Sequence, residues 1–232
     1  MNKKIEKEVR KILTDLEYER LKERISKVDG VVPRHSVKEL TVMYDNPNPE
    51  LTFYSKSVDG RLRIRTSEAG KKDLLPENST DTEVSMITWK QRIPKYKNAK
   101  EEINREYEIE VNIESKEMKA MIMILENVLH CPRISSYERN RETVYIDNVE
   151  IASDTFPYGH VVELELKDSD DENELMRVMH LLELDKCKTS TLSCDDMYKK
   201  LCTLNGINAK TDILFNDDTM PSLNKALEND WL

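Results

Sequence analysis

Along most of this chain, apolar and polar residues follow the two-residue period of strands that turn one face to a polar environment. IEKEVRKIL (5–13), VKELTVMYD (37–45), LTFYSKS (51–57) and RLRIRT (61–66) read as strands. So do VSMITWKQRI (84–93), REYEIEV (105–111), SSYERNRETVYI (135–146) and VVELELK (161–167). NPNP at 46–49 is a turn, and Val58-Asp59-Gly60 predicts a hairpin between 51–57 and 61–66. Residues 67–83, with Lys71 and Lys72, predict a long polar loop, and 147–159 a turn or hairpin.

A helical period interrupts the strands four times. Thr14 begins TDLE, a Ser/Thr-x-x-Glu start signal, and predicts a helix to about Val28 with Leu16, Leu21 and Ile25 inward. Ser115 is the expected cap of a helix to about His130, with Met118, Met121, Ile122, Leu125 and Leu129 at core spacing. Helices are also expected over Asp170–Leu184 and Asp195–Leu204. The pattern predicts an α+β fold: one domain over 1–204, mostly antiparallel, and a tail or appendage at 205–232.

The polar faces carry more than solvent-facing residues. Glu6 and Glu8 share a strand face with Arg10, and Arg63 and Arg65 one with Arg61. Lys90 and Arg92, Glu106 with Glu108 and Glu110, Arg139 with Arg141, and Glu163 and Glu165 with Lys167 complete the ladders. One such row is an ordinary wet face of a sheet. The segregation of sign from strand to strand instead suits a closed eight-stranded antiparallel barrel with a charged lumen, covered outside by helices. Leu62/Ile64, Tyr107/Ile109/Val111 and Val162/Leu164/Leu166 then point outward under that cover.

Buried charges need partners. Carboxylates at alternate positions suit a hard divalent cation, Mg²⁺ or Mn²⁺, and guanidinium forks suit phosphate oxygens. The ladders together point to a metal–polyphosphate ligand.

Composition narrows this picture. The 232 residues are 38% hydrophobic and 35% charged, enough for a core, and the net charge of −9 argues against a general nucleic-acid coat. It leaves room for a local Arg cluster. No apolar run reaches the roughly 18–20 residues of a membrane span, and the N-terminus is too charged for a secretion signal. Cys131, Cys187, Cys194 and Cys202 lack metal-ligand spacing and are expected as reduced thiols of a cytoplasmic protein. His160 points away from Glu163, and His35, His130 and His180 read as ordinary polar positions.

In this order the motifs resemble the CYTH superfamily, the triphosphate tunnel metalloenzymes, over residues 5–204. Glu6-Lys7-Glu8-Val9-Arg10 resembles the opening ExExK, with Arg for Lys. Met43-Tyr44-Asp45, Leu62-Arg63-Ile64-Arg65, Thr88-Trp89-Lys90, REYEIEV and Arg139-Asn140-Arg141 follow. Asp147-Asn148-Val149 and Gly159-His160-Val161-Val162-Glu163-Leu164-Glu165 close the series. Residues 150–156 lie between that last pair, and the family's C-terminal element is loosely matched by Ser193 and Tyr198.

The resemblance implies a tunnel that hydrolyses or rearranges triphosphates with Mg²⁺ or Mn²⁺. Glu6, Glu8, Glu163 and Glu165 would be catalytic carboxylates on the metal, joined there by Glu106, Glu108 and Asp147. Arg10, Arg63, Arg65, Lys90, Arg139 and Arg141 would hold the triphosphate. The expected partner is a triphosphate-bearing small molecule (inorganic, nucleoside or thiamine triphosphate) or an RNA 5′ end, the last of which would allow a nuclear location. An adenylate cyclase and a non-catalytic polyphosphate- or nucleotide-binding module are the alternatives.

Overall fold

The computed structural model describes residues 4–54, 58–68, 83–93 and 103–232. Eight strands form one closed wall: β1 (Lys4–Leu13), β2 (Val32–Tyr44), β3 (Gly60–Glu68), β4 (Glu83–Arg92), β5 (Ile103–Ile113), β6 (Arg133–Ile146), β7 (Val149–Phe156) and β8 (Gly159–Leu166). Their order around the barrel is β6-β2-β3-β4-β5-β1-β8-β7, and β7 returns to β6. Every neighbouring pair among the eight is antiparallel. Closure leaves no barrel edge to pair with another chain. No helix among the described residues is long and apolar enough to cross a membrane.

The strand count agrees with the sequence reading, but one member differs. Residues 51–54 form a turn rather than a strand, and 55–57 lie outside the described residues. Asp45 organises this turn by accepting hydrogen bonds from the Phe53 amide and the Thr52 hydroxyl, both at 2.7 Å. The eighth strand is instead β7, within the segment expected as a turn or hairpin. The reversal itself is Asp147-Asn148, with Asp147 at φ 51°. Most of the 67–83 loop, including Lys71 and Lys72, lies outside the described residues.

The helices close the outer faces. Helix α1 (Asp15–Ile25) starts at the expected capping box, in which Thr14 accepts from the Glu17 amide and Glu17 accepts from the Thr14 amide. It buries Tyr18 and Leu21 with α3 (Glu172–Leu181) over β1, β7 and β8, where Val9, Ile151, Val162 and Leu164 are buried. Leu16, expected inward, is exposed. Helix α2 (Met118–Met123) lies in a helical run over 115–128, buries Leu125 and packs on Ile64 and Ile113. Its run begins without a side-chain cap, so Ser115 does not serve as one, and Leu129 is exposed.

One expected cover is missing. Ile109 and Val111 on the outer face of β5 are 52% and 55% exposed; the α2 cluster meets that strand only at its last residue, Ile113.

Residues 205–232 pack onto the barrel. Helix α4 (Cys194–Leu204) and α5 (Leu223–Glu228) share a core with Phe156, Tyr158 and Val161, in which Leu201, Leu223 and Ala226 are fully buried. Short strands β9 (Lys188–Thr189) and β10 (Asp212–Ile213) pair with β1 and, in parallel, with β6.

Candidate active site

Alternate residues of each barrel strand point inward, and together they line a cavity of ≈ 320 Å³. In chain order, acidic and basic ladders are interspersed. Around the barrel they are sorted. Strands β5, β1, β8 and β7 stand side by side and bring Glu106, Glu108, Glu110, Glu6, Glu8, Glu163, Glu165 and Glu150 to one wall. Strands β6, β2, β3 and β4 form the opposite wall with Arg139, Arg141, Arg61, Arg63, Arg65, Lys90 and Arg92.

The acidic wall contains like charges in direct register. Glu6 faces Glu106 across β1–β5, and Glu8 faces Glu165 across β1–β8. Such pairs repel. Burial pushes Glu8 up to about 7, against the pull of Arg10 and with Glu163 and Glu106 adding to the rise. Burial also raises Glu6, where a hydrogen bond with Glu108 adds to it and Lys90 opposes it. Glu165 is raised by burial and then by Glu6. Glu163 behaves oppositely: burial disfavours its charge, but Arg10, Arg141 and Arg139 outweigh that and hold it well below the ordinary range.

Cations on both walls are tied to these carboxylates. Lys90 Nζ lies 2.5 Å from Glu6 and 2.9 Å from Glu108. Arg10 donates to Glu163 at 2.8 Å and to Glu8 at 3.0 Å. Arg141 donates to Asp154 at 2.6 and 2.7 Å and to Glu163 at 2.7 Å. Arg139 donates to Glu39 at 2.5 Å and to Asp154 at 3.0 Å.

Two arginines stand outside these pairings. Arg63 makes no ion pair among the described residues; burial disfavours its charge, but Tyr137, Glu108 and Glu110 favour it and leave the group above its ordinary value. Arg65 approaches only Glu39, at 4.0 Å. The Nε of each is buried without a hydrogen-bond partner. Burial, reinforced by Arg63 next to it, lowers Arg65 to about 10. The two neighbouring guanidiniums on β3, each with a buried Nε that has no hydrogen-bond partner, suit an anion.

One end of the lumen is crossed by the first turn of α4. Ser193, Cys194 and Asp195 line the cavity there. Arg10 donates to the Leu192 carbonyl at 2.6 Å, and Arg61 donates to Asp196 at 3.0 Å and pairs with Asp59.

Of the residues singled out from the sequence, the structure brings Glu6, Glu8, Arg10, Arg63, Arg65, Lys90, Glu106, Glu108, Arg139, Arg141, Glu163 and Glu165 to this one cavity. Asp147 is not among them. It sits on the outside at the β6–β7 turn, 63% exposed and paired with Arg177, because the strand after the turn carries the chain away. His35, read from the sequence as an ordinary polar position, lies on β2 and lines the cavity. Sequence reasoning missed Glu39, Glu150 and Asp154. Asp154 is fully buried and braces both Arg139 and Arg141. Its signal was its two-residue spacing from Ala152 and Glu150 on β7.

Glu donors of this kind match a hard divalent cation in chemistry. Among the described residues no three are gathered as a ready-made metal site. Glu6 and Glu8 are turned instead to Lys90 and Arg10. The fit lies in their titration: buried, mutually repelling carboxylates driven toward protonation are the groups a cation relieves.

No family model matches the chain, and no curated protein matches it. Solved structures do. An adenylate cyclase candidate from Vibrio parahaemolyticus is 15% identical, with 84% of this chain and 98% of that one covered, at a TM-score of 0.58. A Hippeastrum protein first assigned as an adenylyl cyclase, with a dominant triphosphatase activity, is 12% identical, covers 89% and 98%, and scores 0.57. A chain of the Schizosaccharomyces pombe Mediator head module is 10% identical, covers 80% and 98%, and scores 0.55. At these identities the likeness is one of fold.

Proposed function

We propose that this chain, which has the CYTH triphosphate tunnel fold, is a metal-dependent triphosphatase that hydrolyses a triphosphate inside its lumen. The observation that carries this reading is the Arg63–Arg65 pair, whose buried Nε atoms have no hydrogen-bond partner, on a wall that faces crowded carboxylates.

Phosphoryl transfer asks the protein mainly to position the chain and stabilise spreading negative charge. Arg63 offers donors to the phosphate oxygens without first breaking an ion pair, and Arg65 gives up only its 4.0 Å approach to Glu39. Glu39 and Asp154 hold Arg139 and Arg141 in place in the lining of the same cavity. Lys90, between Glu6 and Glu108, links the two walls and adds positive charge near a transferred group. Arg10, on β1, ties Glu8 to Glu163 within the acidic wall. Glu6, Glu8, Glu163 and Glu165, with Glu106 and Glu108, would hold Mg²⁺ or Mn²⁺. When bound, such an ion neutralises phosphate charge and lowers the pKa of a coordinated water.

The test is phosphate release from inorganic triphosphate, ATP, thiamine triphosphate and 5′-triphosphate RNA, each with Mg²⁺ or Mn²⁺. Release that is lost in Glu6→Ala and Glu163→Ala supports hydrolysis. The likeness to a cyclase candidate favours a second reading, in which ATP yields cyclic AMP and pyrophosphate, and the same assay registers those products. A third reading is a polyphosphate- or nucleotide-binding module without catalysis; turnover of none of the four substrates would replace the enzyme reading with it.

A further inference from the structure

Among the described residues of β6, β2, β3 and β4 that line the cavity, Glu39 is the one carboxylate on the basic wall. It is 7% exposed, and its surroundings are those of an anion site. Ser67 donates to it at 3.1 Å, Arg139 donates at 2.5 Å, and Arg65 Nε stands 4.0 Å away. Burial disfavours its charge, but Arg139, Arg65 and Arg141 outweigh that and keep it ionised. Guanidinium groups and a hydroxyl are the donors a phosphate would be offered. Here the chain supplies the anion itself. Its place along the lumen is also defined. The inward row on β3 runs Arg61, Arg63, Arg65, Ser67; Arg61 is fastened to α4 through Asp196, and Ser67 is the register partner of Glu39. Glu39 therefore stands on the far side of Arg63 and Arg65 from the end that α4 crosses. Arg141 lies one inward step further along β6, but Asp154 and Glu163 already bind it.

We infer that Glu39 is a specificity-determining residue that sets phosphate-chain length: its carboxylate fills the place a fourth phosphate would take, so the lumen accepts triphosphate and rejects longer linear polyphosphates. This rests on the triphosphate reading of the same lumen. A wall of cations alone favours longer chains, because each added phosphate brings more negative charge to it. A fixed carboxylate reverses that preference at one level, since like charges brought together in a site shielded from water are disfavoured. The first turn of α4 bounds the other direction. A longer chain held by Arg63 and Arg65 must then lay its surplus phosphate against Glu39. The internal anion also keeps the buried guanidinium of Arg139 paired before any substrate arrives.

The experiment is binding rather than turnover. Calorimetry in EDTA, where metal-dependent hydrolysis is blocked, compares linear inorganic triphosphate with linear inorganic tetraphosphate. Each is titrated into the wild type, Glu39→Gln and Glu110→Gln. Glu110 lines the same cavity from the acidic wall, so its substitution removes an equal charge elsewhere. The wild type should bind triphosphate at least as tightly as tetraphosphate. Glu39→Gln should raise tetraphosphate affinity relative to triphosphate about tenfold, whereas Glu110→Gln should shift that ratio by less than about threefold. Triphosphate affinity retained in Glu39→Gln reports that the variant is folded, and the wild-type comparison needs no variant. Tetraphosphate bound more tightly by the wild type, an unchanged ratio in Glu39→Gln, or an equal shift in Glu110→Gln overturns the assignment of Glu39 and leaves the triphosphate reading standing. Binding of neither ligand to the wild type, in EDTA or with Mg²⁺, removes both.

Discussion

Glu39 on β2 and Arg139 on β6 lie directly opposite each other in the antiparallel register, joined by a 2.5 Å hydrogen bond in the buried wall of the barrel. Burial raises the carboxyl of Glu39, but Arg139, Arg65 and Arg141 outweigh it and leave the group far below its usual range. Removing one partner of such a pair strands a buried charge. Glu39→Ala should therefore cost about 3–5 kcal/mol in urea unfolding, against a smaller loss for Glu39→Gln.

The same residue sets an acid limb. A carboxylate whose folded pKa lies below its unfolded value contributes stability that is complete above the unfolded value, about 4.3. That contribution is lost as pH falls from there toward the folded value. Wild type should lose stability below about pH 5 more steeply than Glu39→Gln, read from urea midpoints at pH 7, 5 and 4. Parallel pH profiles would show that Glu39 titrates alike in both states.

Arg63 and Arg141 make a contrasting pair. Arg63 has no ion pair among the described residues, whereas Arg141 binds both Asp154 and Glu163. Arg63→Gln should change stability by less than about 1 kcal/mol yet cut kcat/KM about 100-fold or more. Arg141→Gln should damage both. A large loss of stability in Arg63→Gln would place that residue among the structural pairs.

Asp147 supplies the outer control. It pairs with Arg177 at the surface, away from the lumen. Asp147→Ala should leave triphosphate hydrolysis within about twofold of wild type and shift stability by no more than about 1 kcal/mol. A metal-dependent loss of turnover would return it to the site.

Chain segments beyond the predicted domain can be tested through packing. A Cβ on Gly159, at φ 144°, would meet Leu223 Cβ at 2.6 Å. Gly159→Ala and Leu223→Ala should each lower stability, the latter by about 2–5 kcal/mol, since Leu223 is fully buried. If thermal melting were unaffected by Leu223→Ala, α5 would not be part of the cooperative unit.

The ladders were legible because strand periodicity is local. In β1, β3, β5 and β8 two or more charges share a face, and the pattern needs no tertiary knowledge. The Thr14–Glu17 capping box was legible for the same reason. Glu39 was not, because it is the lone inward acid between Val37 and Thr41. Asp154 was hidden by Ala152, which breaks the charge row on β7. The sorting of walls was out of reach, since β1 settles between β5 and β8 through pairings more than 90 residues apart in sequence. The exposure of Ile109 and Val111 likewise depends on where α2 meets β5, which no local pattern records.

The α4 turn across one end of the lumen has a kinetic consequence. A passage with a single working entrance empties in reverse order of filling. A triphosphate that enters with its terminal phosphate leading would, once cleaved, leave orthophosphate deepest and the larger diphosphate fragment in its way. Orthophosphate would then be the last product out, and its inhibition would be competitive against substrate while that of the diphosphate would be mixed. Loosening the stopper, by cutting Arg61 from Asp196, would open a back door and erase that order.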